Sequence, residues 1–115
     1  MPKTITEMVK EYQSEIANGN LSPVRGAEIL TVLSALSGNI NDEIIKRDYE
    51  YNLVLLEYLD SEQKANRAKI KAETTPEYIS KKQAYNLKEL NTEMIRGLKY
   101  LLKAYEDEYR HGKFQ

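Results

Sequence analysis

The stretch RDYEYNLVLLEYL, Arg47 to Leu59, sets Tyr49, Tyr51, Leu53 and Leu55 on every second residue, with Glu50, Asn52 and Val54 between them. Alternation of that kind is how a half-buried strand is written, whereas tyrosines on two faces would follow if the segment were a helix. The flanks decide. From Ile40 to Ala72 there is neither Gly nor Pro, an uninterrupted run of 33 residues. As a helix it would extend roughly 50 Å at 1.5 Å per residue, and a strand of that length would be abnormal. Ile44, Tyr51, Leu55, Tyr58 and Leu59 fall at helical spacings, and the neighbouring DEIIKRD and DSEQKANRAKIKA mix charges as helix surfaces do. The segment therefore reads as a helix spanning 40–73, with Tyr51, Leu55, Tyr58 and Leu59 on its seam and Tyr49 and Leu53 turned elsewhere.

Upstream, Thr4-Ile5-Thr6-Glu7 matches a capping box, and Ile5, Met8, Tyr12 and Ile16 follow at spacings of three and four until Asn18-Gly19 ends the pattern. This predicts a first helix over 4–18. Ser22-Pro23 has the form of an N-cap followed by a first-turn proline. A second helix is expected over 22–37, with Val24, Ala27, Leu30, Leu33 and Leu36 on one face and Ile29, Val32 and Ala35 widening it. Ser37-Gly38 reads as its stop. Thr75-Pro76 repeats the cap-then-proline form and opens a fourth helix over 76–110, whose seam is Ala84, Leu87, Leu90, Met94, Leu98, Leu101, Tyr105 and Tyr109.

Two long helices joined at Thr74-Thr75 should run back against each other. In the register that sets Ile70 against Ile79, Ala65 against Ala84, Leu59 against Leu90, Leu55 against Met94, Tyr51 against Leu98 and Ile44 against Tyr105, every pair is apolar. The expected architecture is all-α and four-helical: two short N-terminal helices packed on the base of a long antiparallel, coiled-coil-like hairpin, in a single domain over 1–115. The far part of the hairpin, between Asp60 and Lys82, has only Ile70, Tyr78 and Ile79 as large apolar residues and should be thin.

Composition agrees with helix: 30% charged residues, five Gly and three Pro in 115 residues. With no cysteine, a disulfide framework, a thiolate nucleophile and sulfur-ligated zinc are excluded. The absence of a secretory-type leader or a membrane-length apolar run leads us to expect a soluble, cytoplasmic protein without a membrane partner.

Net charge is only −1, yet its distribution is uneven. Residues 42–62 carry seven acids against two bases, and residues 64–88 carry seven bases against two acids. Lys64, Arg67, Lys69, Lys71, Lys81, Lys82 and Lys88 thus form a basic region that could meet a phosphate backbone or an acidic partner, with Tyr78 and Tyr85 as stacking surfaces. The plainer account is a solvated helix face that keeps a thin hairpin in solution, and the matched charges would also suit docking between two copies, with a dimer as the favoured assembly. Nine tyrosines against one Phe and no Trp bear on the same question. Tyr49, Tyr78, Tyr85 and Tyr100 lie off the seam and are candidate protein-contact surface, the alternative being packing against the short helices.

Catalysis finds few materials. The one histidine, His111, forms a Glu-x-x-His with Glu108, but di-iron bundles need two such motifs. No phosphate loop or nucleotide fingerprint occurs, and the pair of helices around ANGN offers a DNA groove only Arg25. Neither an enzyme nor a cofactor is expected.

The run ISKKQAYNLKELNTEMIRGLKYLLKAYEDEY, Ile79 to Tyr109, with the charged segment before it, resembles small helical proteins of bacteriophages and mobile elements. The likeness is one of helix style and carries over no residue roles. It implies action by binding in a host cytoplasm: as an inhibitor or modulator of a host factor such as a defence nuclease, as a nucleic-acid-binding accessory of replication or recombination, or as a small virion component.

Overall fold

A computed structural model describes every residue except Met1, Gln63, Phe114 and Gln115, and leaves the side chains of Gly112 and Lys113 undescribed as well. The described chain is all-helical, in the order α1 (Ile5–Ala17), α2 (Pro23–Ser61), α3 (Ala65–Ala72) and α4 (Pro76–Lys113). Three helix starts follow from local chemistry. The Thr4 hydroxyl oxygen accepts from the Glu7 N–H at 3.1 Å and donates to the Glu7 carboxylate, a variant of the expected box in which the acid meets the hydroxyl. Ser22 Oγ accepts from the Arg25 N–H at 3.1 Å ahead of Pro23, and Thr75 Oγ1 accepts from the Tyr78 N–H at 3.4 Å ahead of Pro76. Gly19 and Asn20, with φ of +76° and +62°, reverse the chain between α1 and α2, a conformation open to Gly and tolerated by Asn.

The middle of the chain divides differently from the sequence expectation. There is no stop at Ser37-Gly38: α2 runs 39 residues through it. A helix-ending Gly works by adopting a left-handed conformation, and Gly38 keeps a negative φ. The buried stripe Ile29, Leu33, Leu36, Ile40 and Ile44 continues across this site at spacings of four and three. Burial of that stripe outweighs the roughly 1 kcal/mol that Gly costs inside a helix. Conversely, the expected helix over 40–73 is divided: α2 ends at Ser61 and α3 begins at Ala65. No Gly, Pro or side-chain cap causes the break, and Lys64 is simply extended at φ −116°. Apart from Ala65, no apolar residue lies between Asp60 and Arg67, so no packing repays continuation.

The chain forms two compact units, Met1–Gly38 with Glu89–Gln115, and Asn39–Lys88. In the first, α1, the start of α2 and the end of α4 enclose Val9, Ile29, Leu33, Leu36, Met94 and Leu98. The bidentate pair from Arg25 Nε and Nη2 to the Glu15 carboxylate, at 2.5 and 2.7 Å, ties α1 to α2. Gly26 lets α4 approach: a Cβ there would sit 3.3 Å from Leu102 Cδ2. Buried Asn91 on α4 donates through Nδ2 to the Leu33 carbonyl at 3.2 Å and to Ser37 Oγ at 3.1 Å. The Tyr105 hydroxyl donates to the Leu21 carbonyl at 2.6 Å. The broad apolar face of this part of α2 is not wholly covered, since Val24 and Val32 are exposed.

In the second unit the register differs from the expected one by several turns. Tyr51 lies against Tyr78, with ring centroids 5.5 Å apart, instead of against Leu98. Ile70 and Ile79, expected to face each other, are both exposed, while Ala68, Ala72 and Ala84 are buried. Small side chains allow close backbone approach, and a separate helix, α3, precedes the turn at Glu73–Thr75 where one continuous helix was expected. Lys71 is ion-paired to Glu62 across the break.

Candidate interaction surfaces

The residues singled out by sequence separate into three groups. Lys71, Lys81 and Lys82 are engaged within the chain. Lys71 holds Glu62, and that hydrogen bond lowers the Glu62 carboxyl below its usual range. The Lys81 ammonium stands 3.6 Å from Asp48 Oδ1 and 4.5 Å from the centre of the Tyr51 ring. That distance is an ion pair but too long for a hydrogen bond, so Asp48 Oδ1 is buried without a hydrogen-bond partner. Lys82 sits 5.8 Å from the Tyr78 ring centre. A charge over an aromatic face is attracted by the ring quadrupole.

Tyr78 and Tyr85 belong with this cluster. Tyr78 is half-buried against Tyr51, and the Tyr85 hydroxyl donates to Asp48 Oδ2 at 2.8 Å, which raises the Tyr85 pKa. Burial does the same to Tyr51. Asp48, Tyr51, Tyr78, Lys81 and Tyr85 thus interlock α2 with α4 inside the second unit, with the Tyr51 and Tyr78 rings packed together and Tyr85 anchored by its hydroxyl but 41% exposed.

Lys64, Arg67, Lys69 and Lys88 are exposed, and among the described residues none has an acid at ion-pair distance. Lys64 and Arg67 line a cleft of about 610 Å³ with Ser61, Glu62, Asn66, Ile70 and Lys71. The seven-residue basic region is thereby reduced to a smaller group around the break and an isolated Lys88.

Tyr49 and Tyr100 are the most exposed of the tyrosine candidates, at 64% and 70%. Tyr100 has Arg96, Lys99 and Lys103 beside it in a shallow depression. Tyr49 has apolar company. Ile45, Tyr49, Leu53, Leu56 and Leu59 are all exposed large apolar residues on α2, between 38% and 67%. At 100° per residue they occupy one arc of about 120°, on the side of α2 away from buried Ile44 and Tyr51. In this unit α2 therefore has two apolar faces, one packed and one open.

Sequence reasoning placed Leu59 on the packed seam and turned Tyr49 and Leu53 away from it, but did not join them to Ile45 and Leu56. The signal was present in the spacing Ile45, Tyr49, Asn52, Leu56, Leu59, which steps by four and three. It was masked because Tyr51, Leu55 and Tyr58 make a second seam in the same residues.

A further cleft, in the first unit, has a volume of about 500 Å³ and is lined mainly by apolar groups of Ile16, Leu21, Met94, Leu98 and Leu101, with Gly97 on its wall. Among the described residues no cluster of three or more His, Asp or Glu side chains is placed to hold a metal. Nor is any described helix long and apolar enough to cross a membrane. Comparison with protein-family models, with curated proteins and with solved structures finds no match to this chain.

Proposed function

We propose that this protein acts without catalysis, by binding another protein through the open face of α2. The observation that carries the reading is the row Ile45, Tyr49, Leu53, Leu56 and Leu59, exposed together on one helix. Single exposed apolar residues are ordinary, whereas a contiguous row of five on a monomer's surface is the mark of an interaction site. Tyr49 supplies an amphipathic ring of the type enriched at such interfaces. The resemblance of the 79–109 segment to phage and mobile-element proteins supports a host factor, such as a defence nuclease, as the protein bound. The test compares proteins retained from a host extract by the wild type and by a Tyr49→Lys/Leu56→Lys variant of unchanged helicity. Specific retention lost in the variant supports the reading, and identical retention overturns it.

A second reading, nucleic-acid binding, is favoured by Lys64, Arg67 and Lys69, which are exposed around the break with no described acid paired to them. Three to four phosphate contacts would give binding that weakens steeply with salt. Fluorescence anisotropy with single- and double-stranded DNA across a salt series separates the two readings. Binding at low salt that disappears when Lys64, Arg67 and Lys69 are changed to Glu supports nucleic acid, and no binding at low salt removes it.

A further inference from the structure

The spacing of the open α2 face says more than that it is apolar. Ile45, Tyr49, Asn52, Leu56 and Leu59 advance by four, three, four and three residues, the alternation of the a and d positions of a coiled coil, and all lie outside the packed core. A face with that period is shaped to receive another helix. One polar residue, Asn52, interrupts it near the middle, and a polar core position in such a seam lowers stability.

Charges beside the row indicate which helix. On the flank shared with Leu53 stand Lys46 and Asp60, both exposed, and among the described residues neither has an ion-pair partner in its own chain. If a second copy of α2 lay parallel, Lys46 would meet Asn41 of the other chain, Leu53 would meet Asp48, and no opposite charges would be joined. If it lay antiparallel, with Leu53 of one copy facing Leu53 of the other across a two-fold axis, Lys46 of each copy would face Asp60 of the other. Tyr49 would then pack against Leu59, and Asn52 against Leu56, in layers repeated on both sides of the axis. Such an interface is self-complementary, as a two-fold contact must be. Ten large side chains, five from each copy, would remove on the order of 1,000 Å² from water, about the smallest area at which specific interfaces occur.

We infer that the open face of α2 pairs two copies of this chain antiparallel, with Leu53 at the two-fold axis and Lys46 facing Asp60 of the other copy. The inference rests on the proposed binding function and adds a second occupant for the same face: a copy of this chain, in competition with the host protein.

The chain has no cysteine, so single thiols can be placed without background. Lys46→Cys and Asp60→Cys, both at the rim, are mixed and treated with a short bis-maleimide. Cross-linked dimer is expected from the mixture and little from either variant alone, because in the antiparallel arrangement each residue lies about 20 Å from its own counterpart. Cross-linking of either variant with itself at the level of the mixture overturns the antiparallel register. Sedimentation of the wild type should show a monomer–dimer equilibrium at micromolar concentration. Tyr49→Lys/Leu56→Lys should be monomeric with unchanged helicity. Lys46→Glu or Asp60→Lys should each weaken dimerisation about threefold to tenfold, as expected for two exposed pairs lost at once, and the exchange Lys46→Asp/Asp60→Lys should restore it. A wild type that stays monomeric at high micromolar concentration, or a dimer indifferent to the lysine pair, overturns the inference. A monomer whose host-extract partners still depend on Tyr49 and Leu56 would overturn self-pairing alone and leave the binding reading standing.

Discussion

Among the described residues Asn91 is the one buried polar side chain in the apolar core of the first unit, 2% exposed. Its amide nitrogen makes two hydrogen bonds, to Leu33 and Ser37, while Oδ1 has no hydrogen-bond partner. Asn91→Asp would replace the donating nitrogen with an oxygen facing a carbonyl and bury an uncompensated charge. That change is expected to destabilise the fold by about 3–5 kcal/mol at neutral pH and less in acid. Asn91→Leu, which removes the orphaned oxygen together with the donor, should stay within about 1 kcal/mol of wild type because Ser37 Oγ still donates to the Leu33 carbonyl at 3.2 Å. Urea midpoints distinguish the two. Nothing in the sequence marked Asn91 as core; between Leu90 and Met94 it reads as surface, and only the register with α2 turns it inward. The capping residues were legible for the opposite reason. Thr4, Ser22 and Thr75 act on backbone groups two or three residues away, so no tertiary information is needed. Acid tests the ion pairs at the same scale. The Glu15 and Glu62 carboxyls are both lowered, by hydrogen bonds from Arg25 and Lys71 respectively. A carboxyl lowered by folding contributes stability that is complete above its unfolded value of about 4.3 and is lost as pH falls through the lower folded value. Stability should therefore decline on acidification below about pH 5, and Glu15→Gln and Glu62→Gln should each flatten that decline.

At the scale of elements, helix class was legible throughout but helix ends were not wherever packing competed with local signals. Ser37-Gly38 has the composition of a terminus, yet Ile40 and Ile44 carry the buried stripe onward and the helix follows them. SEQKAN, by contrast, contains no breaker and breaks. Both outcomes express one rule: a helix continues where continuation buries apolar surface. The register error has the same origin. Six apolar pairings looked decisive, but a chain with apolar residues at three- and four-residue spacing matches itself again after each one or two turns. In the second unit the buried residues include small ones, Ala68, Ala72 and Ala84, which apolar patterning underweights. A Cβ added at Gly38 would meet nothing within 4 Å. Gly38→Ala should accordingly stabilise the protein by about 0.5–1 kcal/mol, seen as a higher melting temperature with unchanged helicity. The helix stop expected from sequence would have forbidden this substitution.

Considering the whole chain, the second unit is one continuous segment, whereas the first is assembled from the two ends. Contacts inside the second unit join residues close in sequence: Glu62 and Lys71 are nine apart, Asp48 and Tyr85 thirty-seven. Those of the first span fifty-eight residues from Leu33 to Asn91 and eighty-four from Leu21 to Tyr105. This difference sets an order in time. Closing a long loop costs entropy before its contacts form, so the residues from 39 to 88 are expected to organise first. Once they have, Gly38 and Glu89 flank a structured insert, Asn39–Lys88, and most of the closure needed by Asn91 to reach Leu33 is already made. Ala72→Gly should then slow refolding, and Leu33→Ala should chiefly hasten unfolding, as stopped-flow measurements of both limbs would show. On that route the segment opened by the unbroken passage of α2 through Gly38 becomes the clasp that lets two distant ends of the chain find each other.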